Sequence, residues 1–133
     1  MRATISRRLL DRILAEAAAS PEREVCGLLL GREGAIERAV PAANVAADPA
    51  CRFELDPAAL FACLRAEREG GPRVIGHYHS HPSGDATPSP HDAAAAEPGK
   101  LWLIVAEGRA ALWRSVEGGA LHRTFDPVEL AIL

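Results

Sequence analysis

Two histidines stand two residues apart in the run His79-Ser80-His81-Pro82, and an acid, Asp92, follows a proline-rich loop. At the end of a strand, alternate positions leave the same face. The α-carbons of His79 and His81 then lie roughly 6.5 Å apart, both imidazoles can reach one ion, and Ser80 points the other way. A catalytic zinc typically takes three protein nitrogen or oxygen donors and leaves its fourth position to water. Asp92 is the expected third donor, because the loop from Pro82 to Pro88 lets the chain turn back and present the first turn of a helix starting near Ser89. Ser89, three residues earlier, lies on the same helical side. The same residues also read as a plain helix start, with Ser89 at the cap, Pro90 at the first position and an acid at the third. His77 shares the face of His79 and His81 and is a second candidate ligand. Three alternate positions spread along roughly 13 Å of strand, however, so a core or supporting place suits it better. His91 and His122 read as exposed.

At 133 residues the chain fits one domain, 1–133, able to bury a core without disulfides. Its 48% hydrophobic and 25% charged residues indicate neither disorder nor a fibrous architecture. A net charge of -3 offers no broad attraction for a phosphate backbone, so nucleic acid is not the expected partner. No apolar stretch approaches the roughly 20 residues of a membrane helix, and the first residues run into an amphipathic pattern and not a signal-peptide core; the expected location is cytoplasmic. Cys26, Cys51 and Cys63 form no Cys-x-x-Cys pair and read as free thiols.

The elements that must position the histidines follow from periodicity. Leu9, Leu10, Ile13, Leu14 and Ala17 recur at helical spacing between Ser6 and Ala19. Val25 to Gly31 is a buried strand by length, and Gly34 turns the chain into a second strand through Val40. Residues 41–50 form a loop, and Arg52 to Leu55 alternates as a half-buried strand does. Asp56-Pro57 starts a second helix that Gly70-Gly71-Pro72 stops. Arg73 to His79 is the strand carrying the histidines, and Ser89 to Glu97 a short helix. Leu101 to Ala106 and Ala110 to Ser115 form a hairpin, and Ala120 to Phe125 adds an edge strand.

The spacing His79-Ser80-His81, seven residues, Ser89, two residues, Asp92 resembles the JAMM signature of the MPN family of metal-dependent isopeptidases, and Pro82 fits that pattern too. Glu24-Val25-Cys26-Gly27 ahead of an apolar strand is similar to the family's segment bearing its catalytic glutamate. The resemblance spans about residues 5 to 115 and implies an α/β (α+β) fold. That fold is an MPN-type mixed sheet, partly curled and cytidine-deaminase-like, flanked by the N-terminal helix, a second helix and a short metal-site helix.

It further implies one Zn2+ per chain on His79, His81 and Asp92, with Glu24 as general base and Ser89 donating to the oxyanion. The implied substrate is an amide or isopeptide bond after the C-terminal Gly-Gly of a ubiquitin-like protein. A small sulfur carrier is preferred because the chain has no room for long insertions, and the tail is expected beside an exposed strand edge. A zinc amidohydrolase of small peptides and a non-catalytic MPN scaffold remain as alternatives. His-Glu-x-x-His and Pro-Cys-x-x-Cys are absent, which sets aside thermolysin-like and deaminase chemistry.

Overall fold

A computed structural model describes residues 1–133 as seven strands and three helices. In chain order these are β1 (Arg2–Ile5), α1 (Arg7–Ala18), β2 (Cys26–Arg32), β3 (Ala35–Ala42), α2 (Pro57–Arg68) and β4 (Arg73–Ser80). There follow α3 (Pro90–Ala95), β5 (Leu101–Ala106), β6 (Arg109–Gly119) and β7 (Arg123–Ile132). The sheet is mixed and closed, in the order β1-β3-β2-β4-β5-β6-β7. The parallel pairs are β1 with β3, β1 with β7, and β4 with β5. Closure corrects the expectation of a partly curled sheet with an exposed edge: β1 pairs with β7 along all four residues and with β3 at Thr4 and Ile5, which seals the barrel.

Local chemistry accounts for the helices. Ser6 caps α1 by accepting from the Leu9 amide at 3.1 Å, and the apolar stripe buries Leu10 and Ile13. Asp56 caps α2 by accepting from the Ala58 amide at 3.0 Å, with Pro57 at the first turn. Leu29 turns to the main core, which α1 covers together with Ile5, Leu103 and Val105. Leu28 and Leu30 join Cys63 and Val74 in a smaller core beneath α2. β2 is therefore apolar on both faces, as a central strand covered on both sides must be.

Three expected boundaries change. Arg52 to Leu55 is not a strand and makes only an isolated bridge from Leu55 to Asn44. The second strand runs to Ala42, and the last strand begins at Arg123 and continues to Ile132.

The β2–β4 register sets up the site. Cys26 lies opposite His79 in an antiparallel pair. Continuing both chains brings Glu24, two residues before Cys26, alongside His81, two residues after His79. At Gly27 the two strands crowd: a β-carbon there would lie 2.3 Å from Cε1 of the Tyr78 ring.

Candidate metal centre

His79 and His81 leave the end of β4 on one face, with Nε2 atoms 3.0 Å apart. Asp92, in the first turn of α3, brings Oδ2 to 3.4 Å from the His79 Nε2 and 3.2 Å from the His81 Nε2. All three side chains are buried. Two rings and a carboxylate thus aim three donor atoms at one point. A tetrahedral ion with bonds of about 2.0–2.1 Å has donor–donor edges of roughly 3.3 Å, so the three separations fit such an ion.

The tautomer agrees with that fit. His81 Nδ1 lies 2.6 Å from the Asp85 carbonyl, which only accepts, so Nδ1 carries a proton and, whenever the ring is neutral, it is a bare Nε2 that faces Asp92. Burial opposes charge on His81, but the hydrogen bonds to Asp92 and the Asp85 carbonyl outweigh it and hold its pKa above the ordinary value. Burial likewise opposes charge on Asp92, yet the hydrogen bonds from His79 and His81 win and keep its carboxyl far below the carboxylate range. A proton and a metal ion compete for the same corner.

Asp92 also performs the helix-start role expected of it. Its Oδ2 accepts from the Ser89 amide at 2.8 Å, and Ser89 Oγ accepts from the Asp92 amide at 3.1 Å. The two readings of this segment coexist because the cap fixes the rotamer that faces the histidines. Ser89 Oγ accepts in the cap and keeps its own hydrogen free to donate.

Glu24 reaches the cluster from the loop before β2. It is 4% exposed, and its carboxylate lies within 4.8 Å of both histidine donor nitrogens, farther out than Asp92. Burial pushes its carboxyl up to about 7, with His81 pulling it down and Asp92 raising it. Oε1 is buried and has no hydrogen-bond partner. A groove of about 540 Å³ runs from the end of α1 to the β5–β6 turn, with Leu14, Arg23, Val105 and Glu107 in its walls, and opens on His81.

His77 lies outside the cluster. Its ring packs edge-on to Trp102 at 4.2 Å, and burial holds its pKa down at about 3, so it is a neutral neighbour of the site. His91 and His122 are exposed. Cys26 is fully buried, and burial pushes its thiol up to about 12, which removes it as a nucleophile.

Residues 6–117 match the family model described as prokaryotic homologs of the JAB domain. The chain belongs to this prokaryotic JAB family. Among its relatives is the desampylase of Haloferax volcanii, 43% identical over 91 residues, covering 66% of this chain and 66% of that protein. A Thermus thermophilus protein named probable TtuB-protein conjugate cleaving protease is 37% identical over 92 residues, covering 69% and 62%. The chain thus spans about two thirds of the length of these curated relatives. A solution structure from Desulfitobacterium hafniense superposes with a TM-score of 0.82 at 26% identity, covering 98% of this chain and 92% of that one. No helix is long and apolar enough to cross a membrane.

Within this prokaryotic JAB fold, two supports of the site were missed in the sequence. Ser80, between the histidines, accepts from the Val25 amide at 2.8 Å through its hydroxyl, while its own amide donates to the Val25 carbonyl at 3.0 Å, tying the Glu24 loop to the histidine strand. Phe53 stacks on the His79 ring at 4.2 Å and 22°. That ring is oriented by stacking, since His79 Nδ1 is buried without a hydrogen-bond partner. The alternation of Ser80 with the histidines was visible as a spacing, but its partner lies 55 residues away.

Proposed function

We propose that the chain is a zinc-dependent isopeptidase that cleaves the amide bond after the C-terminal Gly-Gly of a small ubiquitin-like or sulfur-carrier protein. The observation that carries this reading is the buried trio His79, His81 and Asp92 at 3.0–3.4 Å with the Glu24 carboxyl one step outside it. The desampylase and the conjugate-cleaving protease among its relatives support it.

His79, His81 and Asp92 would hold one zinc. When bound, the metal supplies Lewis-acid polarisation of the scissile carbonyl and makes water acidic enough to attack near neutral pH. Glu24 accepts the proton of the attacking water and delivers it to the departing amine, a task suited to a carboxyl whose pKa burial has raised. The Ser89 hydroxyl, its lone pair engaged by the cap, donates to the carbonyl oxygen as negative charge develops there. His81 is kept in the correct tautomer by the Asp85 carbonyl.

A Gly-Gly tail suits the approach because it carries no side chains. Every barrel strand is paired on both sides, so the edge expected for the tail is sought on the segment 43–56, whose Asn44–Leu55 bridge lies outside the barrel. The test is a ubiquitin-fold protein ending in Gly-Gly and amide-linked to a lysine peptide, followed by mass spectrometry against short peptide amides. The expected result is release of the intact carrier, lost on chelation and restored by zinc. Equal cleavage of short peptides would favour the amidohydrolase alternative, and neither turnover nor stoichiometric zinc would favour the scaffold.

A further inference from the structure

Asn44 sits in the segment between β3 and α2, outside the donor cluster, yet its side chain spends its whole hydrogen-bonding capacity on backbone around the site. Nδ2 donates to the Glu24 carbonyl at 2.9 Å and to the Arg52 carbonyl at 3.1 Å. Oδ1 accepts from the Ala46 amide at 3.0 Å and the Glu54 amide at 3.1 Å. Two donors and two lone pairs are all an Asn has. The partners fix the amide orientation: reversed, it would set oxygen against two carbonyls and NH2 against two amide hydrogens.

The distribution of these four bonds is informative. Two of them bracket Phe53, at Arg52 and Glu54, and Phe53 stacks on the His79 ring at 4.2 Å. A third leaves the segment altogether and ends on Glu24, whose amide also donates to the Pro49 carbonyl at 2.7 Å. A side chain serving only to fold its own loop needs the bonds to Ala46, Arg52 and Glu54 and gains nothing from Glu24. One amide thus sets two distances at once, that of the Glu24 carboxyl from the histidines and that of Phe53 from His79.

We infer that Asn44 is a positioning residue, which holds the Glu24 backbone and the Phe53 platform in one rigid unit and so fixes the place of the base relative to the metal ligands. It rests on the reading of Glu24 as the base. All four hydrogen-bonding positions of the Asn44 side chain are taken by backbone, which leaves none for substrate or metal. Its loss leaves His81 and Asp92 held by hydrogen bonds of their own, loosens the Phe53 platform under His79, and leaves the Glu24 backbone with only its amide bond to the Pro49 carbonyl from this segment, free to shift. A shift of about 1 Å in a catalytic group can cost about 100-fold in rate.

The test uses zinc-loaded full-length protein and the Gly-Gly carrier linked to a lysine peptide. In Asn44→Ala and Asn44→Asp, kcat is expected to fall about 10- to 100-fold, a larger change than the rise in KM from the loosened segment or the loss of zinc affinity, read by chelator competition, from the loosened Phe53 platform. In a Glu24→Gln background the same substitutions are expected to cost almost nothing more, because a residue acting through Glu24 has nothing left to position. Unchanged kcat, a loss of equal size in the Glu24→Gln background, or a matching loss of zinc would overturn the inference.

A measurement on the wild type is independent of both substrate and variant folding. The Glu54 amide, held by Asn44 Oδ1, and the Glu24 amide, held by the Pro49 carbonyl of the same segment, are expected to exchange hydrogen with the same opening free energy, since the segment and the Glu24 backbone open as one unit. Unrelated rates would refute the clamp even if the protein proved inactive, whereas inactivity with matched rates would refute only the isopeptidase reading.

Discussion

Replacing Glu24 by Gln is expected to make the metal-free protein more stable near neutral pH while sharply lowering its activity. The carboxyl is 4% exposed, and burial raises its pKa from 4.5 to about 7. At about 1.4 kcal/mol per tenfold change in proton affinity, that shift corresponds to about 3 kcal/mol. The sign follows from proton linkage. Between pH 4.5 and about 7 the folded state keeps a proton that the unfolded state has released, so stability falls as pH rises through that window, and above it the full amount is lost. Gln keeps the shape and never ionises.

The stability of Glu24→Gln relative to wild type should therefore grow by about 3 kcal/mol from acid to pH 8, an upper figure because a folded protein can admit water to a strained carboxylate. For a domain of this size that is about 10 °C in melting temperature. Subtracting the two proteins' curves removes the groups that do not sense Glu24 and leaves the carboxyl together with the His81 it is coupled to. The comparison consists of thermal and denaturant melts of chelator-treated protein at pH 4.5 and 8, with turnover measured after zinc is restored. Turnover should drop about 10²- to 10⁴-fold. A stability difference independent of pH, or a variant less stable than wild type at pH 8, would refute the claim that burial strains this carboxylate. Added zinc should shrink the difference, because a nearby dication favours the ionised form.

Asp92→Ala should weaken zinc at least as much as loss of an outer-shell partner does, about 10- to 100-fold, read by chelator competition; unchanged affinity would remove Asp92 from the ligand set. Ser89→Gly separates cap from chemistry, since Gly caps within a few tenths of a kcal/mol of Ser but donates nothing: kcat should fall about 100-fold or more with the melting curve almost unmoved. Zinc affinity should drop on acidification as protons reclaim His81, whose pKa lies above the ordinary histidine value, and a pH-independent affinity would contradict the shared corner. Gly27→Ala forces a β-carbon to 2.3 Å from the Tyr78 ring and should cost about 1–3 kcal/mol or more in a denaturant titration.

Elements whose signal is local were legible. The α1 stripe, the Asp56-Pro57 start of α2 and the apolar run Leu101–Ala106 each declare themselves within a dozen residues. β1 did not, because four residues ahead of a capped helix are too few to show alternation, and its partners lie more than 25 residues away. Arg52 to Leu55 misled because its alternation reflects Phe53 turned toward His79 and backbone held by the Asn44 side chain, where a ladder was expected. At the site, the spacing of His79, His81 and Asp92 was readable, and so was the similarity around Glu24. Ser80 to Val25 and Asn44 to Glu24 were not, since a hydrogen bond across 55 or 20 residues leaves no trace in either neighbourhood.

The parallel seam between β1 and β7 joins the two strands of the barrel that lie farthest apart along the chain. During translation Arg2–Ile5 must wait for Arg123–Ile132 to emerge before it can pair there, whereas β2, β3, β4 and β5, which carry or flank the histidines, find their neighbours earlier. Closing so long a loop is slow but costs little more free energy than closing one half its length. A nascent chain can therefore organise its histidine end while the opposite seam still gapes, and substitutions in the seam should tax the rate of maturation more than the chemistry of the mature protein.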